Sequence, residues 1–207
     1  MGEASDPERL QVWLDRVQAG DVAARAELLG HACDRLRRLT RKMLKGYAGV
    51  RRWEQTDDVL QNALLRLWKA LEAVTPRSVR EFFGLATLQI RRELIDLARQ
   101  YYGPQGAGAH HASRGDGDGS ESTPPGVSDR PDTTHEPSRL AGWGEFHQQV
   151  EALPPEEREV FDLVWYQGVT QGKAAGLLGI SEATLKRRWW SARRRLHEAL
   201  QGELPGT

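Results

Sequence analysis

The tract from Tyr102 to Arg139, YGPQGAGAHHASRGDGDGSESTPPGVSDRPDTTHEPSR, constrains this chain most strongly. It is rich in Gly, Pro, Ser and Asp and almost free of apolar side chains, so it cannot bury enough surface to offset its ordering entropy. Residues 102–139 therefore read as a disordered linker, with a first domain expected over 1–101 and a second over 140–207. His110, His111, Asp116 and Asp118 read as part of that flexible polar tract rather than as a metal site. The linker's 38 residues give it a root-mean-square reach of roughly 35 Å. Over the whole 207-residue chain, 39% hydrophobic content with only 7% aromatic residues suits helices. The expected fold class is all-α, as two small helical domains.

Other classes are set aside early. No run of apolar residues is long enough for a membrane span, and MGEASDPERL has none of the features of a secretory signal. The single cysteine, Cys33, cannot form an internal disulfide and makes no zinc site with His31; it reads as a small buried residue. A cytoplasmic protein is expected. The net charge is zero, but it is unevenly spread. Residues 1–100 carry 18 Lys/Arg and 14 Asp/Glu, residues 101–140 carry 3 and 6, and residues 141–207 carry 8 and 9. Arg35 to Arg52 holds eight cations and no carboxylate, and residues 179–200, GISEATLKRRWWSARRRLHEAL, hold six cations against Glu182 and Glu198. Two concentrated basic patches in a balanced background point to a polyanionic partner.

The second basic patch lies in a recognisable local pattern. LPPEEREVFDLVWYQGV opens with prolines and acids suited to a helix start, carries Val160, Leu163 and Val164 at helical spacing, and stops near Gly168. Thr170 is expected to cap QGKAAGLL, and Ser181 the helix after it. Counted from Gln171, Ala175 is fifth, Gly179 ninth, Ile180 tenth and Leu185 fifteenth, the spacing of a helix-turn-helix. The alanine permits close helix crossing, the glycine takes the left-handed turn, and the apolar pair fixes the angle. On the second helix Leu185, Trp189, Ala192, Leu196 and Ala199 form the expected core stripe. Ala183, Arg187, Trp190 and Arg194, flanked by Thr184, Lys186 and Ser191, face the other way, where a major groove would be read. Trp190 fits either a sugar-phosphate or a neighbouring element.

The first half reads as four helices, about 7–18, 22–45, 57–72 and 79–101. Thr56 is expected to cap the third, which buries Leu60, Ala63, Leu64, Leu67, Trp68 and Leu71 and leaves Asp58, Gln61, Asn62 and Leu65 outside. That acidic-polar surface suits a protein better than DNA. Ser78 and Glu81 make a capping box for the fourth helix. Its apolar side runs through Phe83, Thr87, Ile90, Leu94, Leu97 and Tyr101, while Arg92, Asp96 and Arg99 lie opposite with Arg91 beside them.

Together these blocks resemble the extracytoplasmic-function (ECF) class of sigma factors of bacterial RNA polymerase. TDDVLQNALLRLWKAL with EFFGLATLQIRRELIDLARQYYG is similar to region two. LPPEEREVFDLVWYQGVTQGKAAGLLGISEATLKRRWWSARRRL is similar to region four. The resemblance covers nearly the whole chain outside the linker, with the blocks in the family's order. It implies a transcription initiation factor, not an enzyme, with no cofactor and no catalytic or metal residue. The implied partners are core RNA polymerase and promoter DNA, and an anti-sigma factor is admitted. By position, Asp57, Asp58, Gln61, Asn62 and Leu65 would face polymerase. Val74 to Arg80 with the start of the fourth helix would hold the melted minus-ten strand, and Arg91, Arg92, Asp96 and Arg99 would line the promoter. Ser181, Ala183, Thr184, Lys186, Arg187, Trp190 and Arg194 would read the minus-thirty-five element. Lys173-Ala174-Ala175, where the family often has an acid and an aliphatic residue, and Asn62, where it has an acid, depart from the pattern.

The rival from another class is a stand-alone helix-turn-helix regulator, which would need a dimerisation surface and a sensing domain that the first half does not signal. Catalysis has little support: His147 and Glu151 sit one helical turn apart without a third ligand or a nucleophile.

Overall fold

Residues 6–44, 53–102 and 137–202 are described by the computed structural model, and among them there are helices and no strand. The first two, α1 (Asp6–Gln18) and α2 (Val22–Leu44), are joined at Asp21. Its Oδ1 accepts from the Ala23 and Ala24 N–H groups (3.0 and 3.2 Å), capping α2, and its Oδ2 pairs with Arg16 at 2.6 Å. The Arg16 hydrogen bond, helped by those backbone donors, holds the Asp21 carboxyl below the usual carboxylate range.

Along α2, Ala24, Leu28, Ala32, Leu36, Leu39 and Met43 recur at intervals of four and three, and all are buried. The first part of this stripe meets Leu10 and Leu14 of α1. It also meets Leu60, Leu67 and Leu71 of α3 (Trp53–Ala73), and Phe82, Phe83 and Ala86 of α4 (Val79–Tyr102). Each such buried side chain contributes about 1.5–3 kcal/mol of transfer free energy. Cys33 is half-buried, not buried as expected.

Two helix starts refine the sequence reading. Helix α3 begins at Trp53, a turn before the expected start, so Thr56 lies inside the helix and is not its cap. The early turn is tied to α2 instead, by Asp57 to Arg37 at 3.2 Å. For α4 the capping box forms with a shift. The Ser78 hydroxyl accepts from the Glu81 N–H (3.2 Å), while the Glu81 carboxylate accepts from the N–H of Arg77 (2.7 Å), one residue before the cap.

The second half consists of α5 (Pro137–Ala152), α6 (Pro155–Phe161) running directly into a π turn (Asp162–Tyr166), α7 (Gln171–Leu178) and α8 (Glu182–Ala199). Helix α5 is absent from the sequence reading, although Trp143, Phe146, Val150 and Leu153 carry the intervals of three and four that would have revealed it. It takes residues 137–139 from the expected linker, whose residues 103–136 lie outside the described ones.

The halves do not keep separate cores. Leu39 and Met43 of α2, Val59 and Ala63 of α3, and Ile90, Leu94 and Ala98 of α4 form one cluster with the second half. From there come Phe146, Val150, Phe161, Tyr166, Ala192 and Leu196. Helices α4 and α5 cross so closely that a Cβ at Gly144 would lie 2.6 Å from the Ala98 Cβ, which only glycine avoids. A smaller cluster, Val160, Leu163, Ala174, Ala175 and Leu185, holds α6, α7 and α8 together.

Candidate nucleic-acid interface and the seam beside it

The turn between α7 and α8 has the geometry its spacing predicts. Gly179 sits in the left-handed region at φ +65°. Its N–H reaches the Gly176 carbonyl (3.2 Å) and the Ile180 N–H reaches that of Ala175 (3.1 Å), the paired bonds of a Schellman ending. Thr170 precedes α7 with extended backbone but makes no side-chain cap bond. Ser181 does cap α8, accepting from the Thr184 N–H at 3.2 Å.

Helix α8 divides its side chains by face. Leu185, Ala192 and Leu196 are buried, and Trp189 stacks on Phe161 with ring centroids 5.5 Å apart. The stripe ends at Leu200, which is buried just past the last turn; Ala199, expected in the core, is exposed. On the other face Ser181, Ala183, Lys186, Arg187, Trp190 and Arg194 are exposed and Thr184 is half-buried; Trp190 keeps 71% of its surface. Arg194 makes a loose pair with Glu198 (3.7 Å), whereas Lys186 and Arg187 make no ion pair among the described residues. Two of the remaining three cations tie the helix to α6. Arg188 pairs with Glu156 (2.5 Å) and Arg195 with Glu157 (3.2 Å), binding α8 to the acidic first turn of α6.

In the first half, Asp58, Gln61 and Leu65 stand exposed on α3, as expected. Their neighbours are more engaged. Asp57 is held by Arg37, and Asn62 donates to Glu93 of α4 at 2.9 Å. The basic patch of α2 is partly internal too. The Arg35 guanidinium lies 3.8 Å from the centre of the Phe83 ring, and burial lowers the pKa of the Lys42 ammonium. The rest of that patch, residues 45–52, lies outside the described residues.

Helix α4 gives the largest correction. Arg91, expected on the outer face beside Arg92, has no exposed surface. Its guanidinium pairs with Asp162 in the π turn and lies 5.4 Å from the centre of the Tyr166 ring. Stepping around α4, Arg91 falls next to Ile90 and Leu94, so it turns inward once α5 and the π turn cover that side. The wider π turn, closed by the Gln167 N–H on the Asp162 carbonyl (3.0 Å), brings Asp162 and Tyr166 into the same seam. Tyr166 Oη in turn meets His147 Nδ1 of α5 at 2.8 Å. Burial pushes the Asp162 carboxyl up to about 6, against the pull of Arg91 and Arg158. It drives His147 down to about 3, with the Arg91 charge acting the same way, and it raises the Tyr166 hydroxyl. The pairing of His147 with Glu151 weighed from spacing is not made: Glu151 instead pairs with Arg92 at 3.1 Å. Arg80 pairs with Glu159 at 2.7 Å, and Asp96 with Arg66 at 2.7 Å. Arg99 is exposed, 3.8 Å from Asp96. No cluster of metal-binding side chains occurs among the described residues.

Residues 7–202 match the ECF sigma factor family. The chain belongs to that family. No curated protein matches it. Among solved structures, the complex of CnrH with the cytosolic domain of CnrY is 18% identical, covers 94% of this chain and 98% of its own, and has a TM-score of 0.37. The sigma factor RpoE of Bartonella quintana, in complex with the anti-sigma factor NepR, is 19% identical, covers 86% and 98%, and has a TM-score of 0.36. In this sigma factor Ser181 and the six α8 positions singled out in the sequence are exposed or, at Thr184, half-buried, all on the side away from the core. The five α4 positions are divided: Arg80, Arg91 and Arg92 are drawn toward the second half, while Asp96 and Arg99 remain at its edge. No described helix is long and apolar enough to cross a membrane.

Proposed function

We propose that this sigma factor binds core RNA polymerase and directs initiation at promoters read through both halves. The outer face of α3, with Asp57, Asp58, Gln61, Asn62 and Leu65, docks on polymerase. The outer face of α8, led by Lys186 and Arg187, reads the minus-thirty-five element, and Arg194 contacts phosphate. Val74 to Arg80 and the face of α4 bearing Arg92, Asp96 and Arg99 hold the minus-ten strand. Polymerase, rather than the segment joining the halves, sets promoter spacing. An anti-sigma factor belongs among the partners this reading admits.

The observation that carries the reading is the exposed cationic face of α8 behind a complete helix-turn-helix, in a chain of the ECF sigma family. Binding to core polymerase separates it from a stand-alone regulator, which would hold duplex DNA tightly by itself. Asp58→Lys with Gln61→Lys should weaken core binding while helicity by circular dichroism is unchanged. Wild-type affinity in that double variant would remove α3 as the docking face.

A further inference from the structure

Among the described residues Trp190 is the most exposed large apolar side chain, keeping 71% of its surface. The fold makes little use of it. Its neighbour Trp189 stacks on Phe161 and packs against two apolar clusters, whereas Trp190 has no ring contact among the described residues. Lys186 and Arg187 lie one turn before it and Arg194 one turn after, all exposed on the same side. No carboxylate occurs along α8 between Glu182 and Glu198. The acids of α6 that reach this helix, Glu156 and Glu157, are taken by Arg188, Arg195 and Ser191.

A bare ring set among cations suits duplex DNA better than an apolar or basic protein surface, and what it can gain there is narrow. An indole has one donor, Nε1–H, and a large apolar face. In the major groove the base edges offer donors, acceptors and a single apolar group, the C5 methyl of thymine. Burial against that methyl rewards thymine, and the other bases offer the ring nothing equivalent. The position on the helix agrees. Trp190 follows Arg187 by about 4.5 Å along the axis, between the cations assigned to base edges and Arg194, assigned to phosphate. Helical side chains lean toward the N-terminus of their helix, which carries the indole toward the bases and away from the backbone contact.

We propose that Trp190 is a specificity-determining residue of the upstream promoter element, selecting a thymine by contact with its C5 methyl. The inference rests on the function proposed above, in which α8 enters the major groove. Because the ring stands in solvent, removing it leaves no cavity, so its part in recognition is separable from stability.

The test uses the full chain assembled with core polymerase. The upstream element is taken as the sequence that the wild-type holoenzyme retains from a random duplex pool. Each thymine in it is then replaced singly by deoxyuridine, which keeps every hydrogen-bonding group and lacks only the methyl. At one or two neighbouring thymines the replacement should lower wild-type affinity roughly fourfold, the worth of one buried methyl-sized group. Trp190→Ala should bind the thymine and deoxyuridine duplexes equally at those positions, and Trp190→Phe should keep part of the difference. Arg187→Ala should bind more weakly yet still tell thymine from deoxyuridine. Wild-type indifference to deoxyuridine at every position would overturn the inference, and so would an undiminished difference in Trp190→Ala. Weaker binding of Trp190→Ala to core polymerase in the absence of DNA would place the ring on polymerase and overturn it too. A wild-type chain that does not bind core polymerase would remove the proposed function itself, and this inference with it.

Discussion

Helices α4 and α8 are both long, amphipathic and cationic, yet they use their charge in different ways. In α8 the cations Arg188 and Arg195 are met by acids of the same half, while Lys186, Arg187 and Arg194 remain on the outer surface. In α4 the cations Arg80, Arg91 and Arg92 are met by acids from across the seam. The first arrangement gives an exposed cationic face that is complete as soon as the second half folds. The second makes the surface of one half depend on the position of the other. An outward arginine is therefore not the same as an available one, and its counter-charge decides which it is.

The sharpest break of this comparison is at Arg91. Arg91→Ala leaves Asp162 buried without its partner and should destabilise the protein by about 3–5 kcal/mol in chemical denaturation. Arg91→Met with Asp162→Leu removes both charges and should recover most of that loss. If Arg91→Ala unfolds like wild type, the seam is not closed in solution. On α8 no single cation should approach this effect, because each stands in solvent or in a partly exposed pair.

Next in size are the adjacent tryptophans. Trp189 stacks on Phe161 between two apolar clusters, whereas Trp190 is largely in solvent. Trp189→Ala should cost about 3 kcal/mol of stability through the cavity it leaves. Trp190→Ala should change stability by less than about 0.5 kcal/mol while weakening binding to promoter DNA. Thermal melts beside promoter-binding titrations check both, and a normal melt for Trp189→Ala would place the wrong face of α8 inward.

The helix-turn-helix was legible in advance because it is written in local offsets: Ala175, Gly179, Ile180 and Leu185 fix a turn of a few residues whatever surrounds it. The outer face of α3 was legible for the same reason, since Leu60, Leu67 and Leu71 leave only one side for Asp58, Gln61 and Leu65. Failures came where tertiary partners decide. Nothing near Arg91 in the sequence announces Asp162, 71 positions later, and helical spacing alone puts Arg91 and Arg92 near each other at the edge of the apolar stripe. The π turn shifts the register by which Asp162 would have been placed on a regular helix. Helix α5 was lost differently: its apolar intervals, Trp143, Phe146, Val150 and Leu153, lay inside the expected second domain but were not read as a helix.

Smaller effects separate reading from holding within α8. Arg187→Ala should lower affinity for the minus-thirty-five element by about 1–3 kcal/mol and relax preference at one or two base pairs. Arg194→Ala should weaken binding evenly over all sequences and flatten the salt dependence by about one unit of slope. Binding isotherms at several salt concentrations distinguish the two. Equal sequence preference in both variants would mean that Arg187 also touches only backbone.

The smallest expected effect is one in which two groups in the seam oppose each other. His147 falls from 6.5 to about 3 on folding, chiefly through burial, so the stability it contributes is present above pH 6.5 and is lost as pH falls toward 3. Asp162 rises from 3.8 to about 6, again chiefly through burial, so its contribution is present below pH 3.8 and is lost as pH rises through 6. Each slope is about 1.4 kcal/mol per pH unit, and between pH 6 and pH 4 the signs are opposite. The wild-type protein should therefore lose less than about 1 kcal/mol from this pair between pH 7 and pH 4. Removing either group should uncover the other. Relative to wild type, His147→Phe should gain stability as pH falls from 6 to 4, and Asp162→Asn should lose it over the same window, whatever each substitution costs at neutral pH. Parallel curves for His147→Phe and Asp162→Asn would mean that the two groups do not share a dry seam, and the contrast between the helices would then rest on the outer ion pairs alone.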